Sequence, residues 1–275
     1  MKITEKIFSY GGFDAKLVCY VRSEEHITQG KEAPDVPARP FMLVVPGGGY
    51  HIVCEREAEP IALAFLNEGY NAAVLYYSVS EARFPTQLVQ LSKAMAYIRE
   101  NACELNADPN RVYLFGASAG GHLAASLGTL HDRDFLNEIT GLDAKAIRPD
   151  ALVLAYPVIT SGIKTHGNSM HYLLGENEND EELKELVSME KQVNKNTPPA
   201  FIWTTQTDSL VPAVNSLLFA NALIENDVRC ELHMFPTGDH GASLCTQETI
   251  MVGDVSEYSY MRGWFKEAVR FLDTL

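Results

Sequence analysis

The segment that most restricts what this chain can fold into runs from residue 112 to residue 127. An apolar run, Val112-Tyr113-Leu114-Phe115, enters Gly116-Ala117-Ser118-Ala119-Gly120-Gly121, and a helix-like stretch, His122-Leu123-Ala124-Ala125-Ser126-Leu127, leaves it. A G-x-S-x-G between strand and helix predicts a tight, strained turn with Ser118 at its apex. Both flanking positions must be small, because a Cβ there would collide with neighbouring backbone. The turn also sets Ser118 at a helix N-terminus, where unpaired N–H groups favour developing negative charge. The competing reading is a glycine-rich turn whose serine only caps the helix.

The rest of the chain alternates in the same sense. Two short strands, 4–10 and 16–21, are joined by Gly11-Gly12, and 34–40 reads as a loop. Phe41-Met42-Leu43-Val44-Val45 is a continuous apolar run of the kind buried on both faces, and Ala72 to Tyr77 is another. Helix patterns at 55–67, 86–105, after Ser118, at 211–224 and at 258–272 alternate with strand patterns at 111–115, 151–156, 200–205 and 229–235. Such alternation implies right-handed crossovers and an α/β fold, a mostly parallel sheet with helices on both faces. The 275 residues suit one domain, 1–275, interrupted by an insertion at 157–198. That insertion has few large apolar residues and an acidic centre, Glu176 to Glu182, so it is expected to be partly helical, without a buried strand. It is either a solvated excursion or a lid over the site.

Several function classes are excluded. A net charge of −14 and the lack of a Lys/Arg cluster argue against nucleic acid. Neither a signal-like N-terminus nor a bilayer-length apolar run is visible, so a cytoplasmic protein that does not engage membranes is expected. Five cysteines, scattered and without a C-x-x-C pair, are expected to be reduced and mostly buried rather than disulfide-bonded or zinc-bound.

Pro46-Gly47-Gly48-Gly49-Tyr50, directly after an apolar strand, offers backbone N–H groups with no side chains in the way, as an oxyanion hole needs. A phosphate loop is the alternative, but neither G-x-G-x-x-G nor a Lys-Ser/Thr pair follows. A serine nucleophile needs a base. His240, just after the last strand, is the best placed; His51 beside the glycines is the rival, while His233 lies within a strand, His122 behind the turn, and His26, His131, His166 and His171 in surface-like or inserted segments. The base needs a carboxylate to hold its tautomer, and Asp208 at a strand-loop-helix junction fits, with helix capping as its alternative role. Asp239 ranks second, since adjacent side chains rarely face each other.

With these residues the chain resembles the esterase/lipase branch of the α/β-hydrolases, in particular small bacterial acetyl-esterase and acetyl-xylan-esterase-like proteins. The likeness rests on Pro46 to Tyr50, Arg56-Glu57-Ala58-Glu59-Pro60, Asp108-Pro109-Asn110-Arg111, Ser118-Ala119-Gly120-Gly121-His122, Asp208 with Val211-Pro212, and His240-Gly241. The order Ser…Asp…His is that of the α/β-hydrolases. The resemblance implies oxyanion donors at the amides of Gly48, Gly49 and Ala119, a catalytic triad of Ser118, Asp208 and His240, and no metal or organic cofactor. Hormone-sensitive-lipase-like enzymes carry His where this chain has Pro46, and an arginine is lacking after Tyr76-Tyr77-Ser78-Val79; both departures favour the carbohydrate-esterase-like branch, whose members act on acylated sugars.

The expectation is therefore a serine carboxylesterase of the α/β-hydrolase fold acting on short-chain acyl esters, with acetylated carbohydrates as its substrate class. Its partner is a small-molecule ester, and homo-oligomerisation stays open. Tyr50 and Tyr156 are candidates for aromatic surface against a sugar ring, with ordinary packing as the alternative. The acidic insertion is expected to disfavour anionic acyl groups. An amidase or aryl-formamidase would use the same triad, and a non-catalytic binding protein could keep the cavity.

Overall fold

Strands that read as unbroken apolar runs are sandwiched between two helical layers. The computed structural model describes residues 1–22, 38–251 and 253–275. The expected loop at 34–40 therefore lies outside the described residues over 34–37, as does His26.

The strands are β1 (Lys2–Tyr10), β2 (Phe13–Val21), β3 (Arg39–Val45), β4 (Asn71–Tyr76), β5 (Ala107–Ala117), β6 (Leu152–Ala155), β7 (Ala200–Thr205) and β8 (Cys230–Phe235). They form one eight-stranded sheet in the order β1-β2-β4-β3-β5-β6-β7-β8. β1 and β2 are an antiparallel hairpin, with Tyr10 opposite Phe13, and β2 runs antiparallel to β4; every other pairing is parallel. Gly11 and Gly12 turn that hairpin with φ of +59° and +84°, the positive values that a tight two-residue loop demands.

The helices are α1 (Glu59–Asn67), α2 (Thr86–Glu100), α3 (Ala119–Leu130), α4 (Asp134–Thr140), α5 (Ala144–Ile147), α6 (Gly167–Leu174), α7 (Glu181–Leu186), α8 (Val214–Glu225) and α9 (Trp264–Leu272). Alternate residues of β3 show how the layers form. Met42 and Val44 pack with Ile61 and Phe65 of α1 and Trp264 of α9, whereas Phe41, Leu43 and Val45 pack with the layer of α2, α3 and α8. All five are fully buried, and burying such a side chain contributes about 1.5–3 kcal/mol. From β3 the chain crosses to β4 on one side, then returns to β5 on the other. The ends of β3 and β5 thus meet where the strand order reverses, the place where parallel sheets open a crevice.

The structure departs from the sequence pattern in places. Short α4 and α5, between α3 and β6, carry no long periodic signal; α5 is a single turn whose N-cap, Asp143, accepts the Lys145 amide. Residues 255–261 form a 3₁₀ turn, so the last α-helix begins at Trp264. The insertion is helical at α6 and α7 and adds no strand, but it is not a solvated excursion. Val158, Ile159, Leu173, Val187 and Met189 are buried in the same core as α2 and α3, so the segment is cemented to the domain. The cysteines are all unpaired: Cys19 and Cys245 are buried, Cys54 and Cys230 half-buried, and Cys103 exposed.

Candidate active site

The turn at Ser118 is held by backbone contact. Ser118 has φ 54° and ψ −120°, a strained conformation for a side-chain-bearing residue. A Cβ at Gly116 would lie 2.4 Å from the Gly120 carbonyl oxygen, and one at Gly120 only 2.2 Å from that of Val45 and 2.3 Å from that of Pro46. Glycine at 120 therefore does more than relax the turn. It lets the end of β3 touch the start of α3, which brings the Gly47-Gly48-Gly49 loop beside the serine.

Three side chains from three strand ends converge there. Ser118 Oγ lies 2.7 Å from His240 Nε2, and His240 Nδ1 lies 2.7 Å from Asp208 Oδ2. The Asp208 carboxylate is fully buried and the His240 ring nearly so. Asp208 Oδ1 accepts the amides of Leu210 at 2.9 Å and Val211 at 2.8 Å. One oxygen thus fixes the loop ahead of α8 and leaves the other for the imidazole, so capping and orienting are one arrangement. With its Nδ1 proton aimed at this carboxylate, His240 offers Nε2 as acceptor to the serine hydroxyl.

The other candidates lie elsewhere. His51 lines the cavity but stacks on Tyr172, with ring centroids 4.4 Å apart. His233 pairs with Glu231 at 2.8 Å. Asp239 lines a separate shallow depression with Thr207 and Glu257.

The glycine loop takes Gly48 and Gly49 to φ of +122° and +66°. The Gly48 carbonyl accepts the amides of His51 and Ile52, each at 3.0 Å. Among the described residues the amides of Gly48, Gly49 and Ala119 have no protein acceptor, so all three are free for a ligand oxygen.

Tyr50 and Tyr156, expected to present aromatic surface, face inward instead, and this reading is corrected. Tyr50 is fully buried, its hydroxyl 2.8 Å from His122 Nδ1, and His122 Nε2 lies 2.8 Å from the Val187 carbonyl oxygen. That carbonyl can only accept, so Nε2 carries the proton and Nδ1 accepts from Tyr50. Burial, only partly opposed by the Val187 bond, holds His122 down at about 4. Tyr156 is buried against His240, with ring centroids 4.9 Å apart. Its hydroxyl donates to Glu57 Oε1 at 2.7 Å and accepts the Ser243 amide at 3.0 Å. Burial, reinforced by the Glu57 charge, raises its phenol well above the ordinary value, which keeps it a donor. Each tyrosine points toward the polar partner beneath it and not toward the opening.

A network the motifs do not reveal surrounds these groups. Glu57, 2% exposed, accepts the Gly47 amide at 3.0 Å through its second oxygen. Arg56 donates to the carbonyls of Gly241 and Thr249, and the Arg56 carbonyl accepts Ser243 Oγ at 3.0 Å. Trp264 Nε1 donates to the Ser243 carbonyl at 2.9 Å. The pair Arg56-Glu57 therefore ties the glycine loop to the loop carrying His240. An adjacent Arg-Glu directly before a buried helix was the available sequence signal.

The site opens into a cavity of about 370 Å³, lined by Ser118, His240, Gly48 and Gly49 together with His166 and Tyr172 of the insertion. The acidic run Glu176 to Glu182 does not line it, so the expected repulsion of anionic acyl groups loses its basis. A larger depression of about 500 Å³, bordered by Arg99, Asp143 and Arg148, contains none of these groups.

A mostly parallel sheet with a G-x-S-x-G turn after its central strand is the mark of the esterase-like α/β-hydrolases, and this chain is one of them. More narrowly, it belongs to the BD-FAE family, whose model matches residues 31–223, a span that holds Ser118 and Asp208 but stops before His240. The chain is similar to the acetyl ester-xyloside bifunctional hydrolase of Caldicellulosiruptor lactoaceticus, with 35% identity and TM-score 0.79 over 95% of this chain and 88% of that one. It is also similar to carboxylesterase Cest-2923 of Lactobacillus plantarum WCFS1, with 26% identity and TM-score 0.85 over 100% and 98%. Endo-1,4-beta-xylanase B of Butyrivibrio fibrisolvens is 43% identical over 225 residues, covering 80% of this chain and 35% of that protein. The chain spans less than half the length of the first curated relatives it matches. The similar proteins include ones named acetylxylan esterase, esterase and carboxylesterase. Among the described residues no helix is long and apolar enough to cross a membrane.

Proposed function

We propose that this chain hydrolyses short-chain acyl esters, acetylated carbohydrates in particular, with Ser118 as nucleophile, His240 as general base and acid, and Asp208 as the group that orients His240. The observation that carries the reading is the unbroken hydrogen-bonded line Ser118–His240–Asp208, 2.7 Å at each link, ending at the cavity. The carbohydrate part is supported by the acetyl ester-xyloside hydrolase among the similar structures.

In this mechanism Ser118 Oγ attacks the ester carbonyl while His240 Nε2 takes its proton. The tetrahedral oxyanion is received by the amides of Gly48, Gly49 and Ala119; one such donor typically lowers the barrier by about 3 kcal/mol. Asp208 stabilises the imidazolium that forms. His240 then protonates the leaving alcohol, and water activated in the same way hydrolyses the acyl-enzyme. The inserted segment serves as a wall or lid of the alcohol pocket. No step calls for a metal or organic cofactor.

The test is hydrolysis of p-nitrophenyl acetate, butyrate and octanoate by the parent protein and Ser118→Ala, with a fluorophosphonate label mapped by mass spectrometry. Rapid acetate cleavage is expected, with loss of about 10⁵-fold in kcat in the variant and the label on Ser118. An unlabelled, inactive parent protein would overturn the proposal. Matched ester and anilide substrates of one acyl group distinguish an esterase from an amidase.

A further inference from the structure

His166 belongs to the insertion and lines the same cavity as the reacting groups. It precedes α6, and its Cε1 is 3.8 Å from where a Cβ would stand on Gly49. It shares the cavity with Ser118 and His240. His166 Nδ1 lies 2.8 Å from Ser169 Oγ. Ser169 is fully buried, and among the described residues His166 Nδ1 is the hydrogen-bond partner its hydroxyl has. A buried hydroxyl left without an acceptor is costly, about 1–3 kcal/mol, so Ser169 donates and Nδ1 accepts. The ring proton must then sit on Nε2, at the edge turned away from Ser169. Burial chiefly, with repulsion from His240 added and Asp208 opposing, lowers the His166 pKa, so the ring is neutral at pH 7. Nε2–H therefore has a fixed tautomer and, among the described residues, no protein acceptor.

From this geometry we propose that His166 is a specificity-determining residue, whose Nε2–H donates to a hydroxyl or ring oxygen next to the scissile ester, so that the site prefers acyl esters of polyols to those of plain alcohols. The proposal rests on the esterase reading above and adds the group that selects the alcohol. Nearby groups suit a substrate that is flat-faced and oxygen-rich: the stacked His51–Tyr172 pair gives a broad ring surface, and Asn168 adds an amide. A site built to hydrogen-bond a substrate oxygen discriminates against analogues lacking it far more than an apolar pocket does.

The experiment compares kcat/KM for a monoacetylated methyl xylopyranoside with that for p-nitrophenyl acetate, in the parent protein, His166→Phe and His166→Gln. The ratio of glycoside to p-nitrophenyl ester is expected to fall about tenfold in His166→Phe, the size of a lost hydrogen bond. Most of it should return in His166→Gln, whose amide restores a donor. An unchanged ratio in His166→Phe, whether both rates fall together or neither does, overturns the proposal; circular dichroism of both variants shows that the protein compared is folded. Failure of the parent protein to give Ser118-dependent turnover of p-nitrophenyl acetate is a different result, which removes the esterase reading and this proposal with it.

Discussion

Ser118 and His240 come together from two regions built in opposite ways. Residues 116–121 lie between a strand and a helix and are held by contacts at which a Cβ would come within 2.4 Å of backbone oxygens. Residues 236–254 contain no helix or strand among those described. They are held by polar ties from elsewhere: Arg56 to the carbonyls of Gly241 and Thr249, Ser243 to Arg56, Trp264 to Ser243, and Arg262 to Cys245. Ser118 is placed by shape and His240 by hydrogen bonds. The first region should therefore tolerate no added volume at its glycines, and the second no loss of donors.

The largest expected effect tests the part both regions share. Asp208→Asn should lower kcat by about 10⁴-fold, with little change in fold because an amide oxygen can still receive the Leu210 and Val211 amides; full activity would move the orienting role to another carboxylate. Next, Gly120→Ala should cost about 10²-fold in kcat/KM or more, the scale of a displacement near 1 Å, together with a lower melting temperature. If it were silent, shape would not be what places the serine. Arg56→Met keeps the aliphatic stem but removes the Nη1 group that donates to both carbonyls, and should reduce kcat/KM by about tenfold while raising protease cleavage within 241–249. Equal cleavage of parent and variant would show that the loop does not depend on Arg56.

The smallest effect on activity, and a clear one on stability, concerns His122. The folded protein holds it neutral down to about 4, whereas the unfolded chain takes up the proton near 6.5. Between these values the unfolded state binds more protons, so stability falls as pH falls, by about 3 kcal/mol across the window. His122→Asn should be less stable at pH 7 yet lose less stability on going to pH 4.5, as urea unfolding at the two values would show. Parallel losses in both proteins would remove His122 from the acid response.

The contrast also explains what could be read in the sequence. The turn at Ser118 needs only six consecutive residues, and the sterics that require its glycines are local. The strands were legible because burial on both faces leaves an uninterrupted apolar run, as in Phe41 to Val45. Asp208 and His240 could be chosen because strand ends are where such sheets place chemistry. Arg56 and Glu57 could not be given a role, since their partners, Gly241 and Tyr156, are 185 and 99 residues away. Tyr50 and Tyr156 were misplaced for the same reason: which way a tyrosine turns depends on which distant group waits beneath it. The insertion looked too polar to be core because its buried residues are scattered: Val158 and Ile159 lie outside any helix, while Leu173 and Met189 sit in helical turns too brief for a clear period.

Among the residues that hold backbone angles side chains disfavour are Tyr50 at φ 60°, Ser118 at 54° and Tyr156 at 37°. Each costs about 1–3 kcal/mol, and they follow the adjacent strands β3, β5 and β6, so strain is stored around the site. Ser118→Gly should melt above the parent while doing no chemistry. A library of this protein screened by heat alone would thus enrich inactive sequences, and any thermostable form that keeps its activity must gain its stability away from these three strand ends.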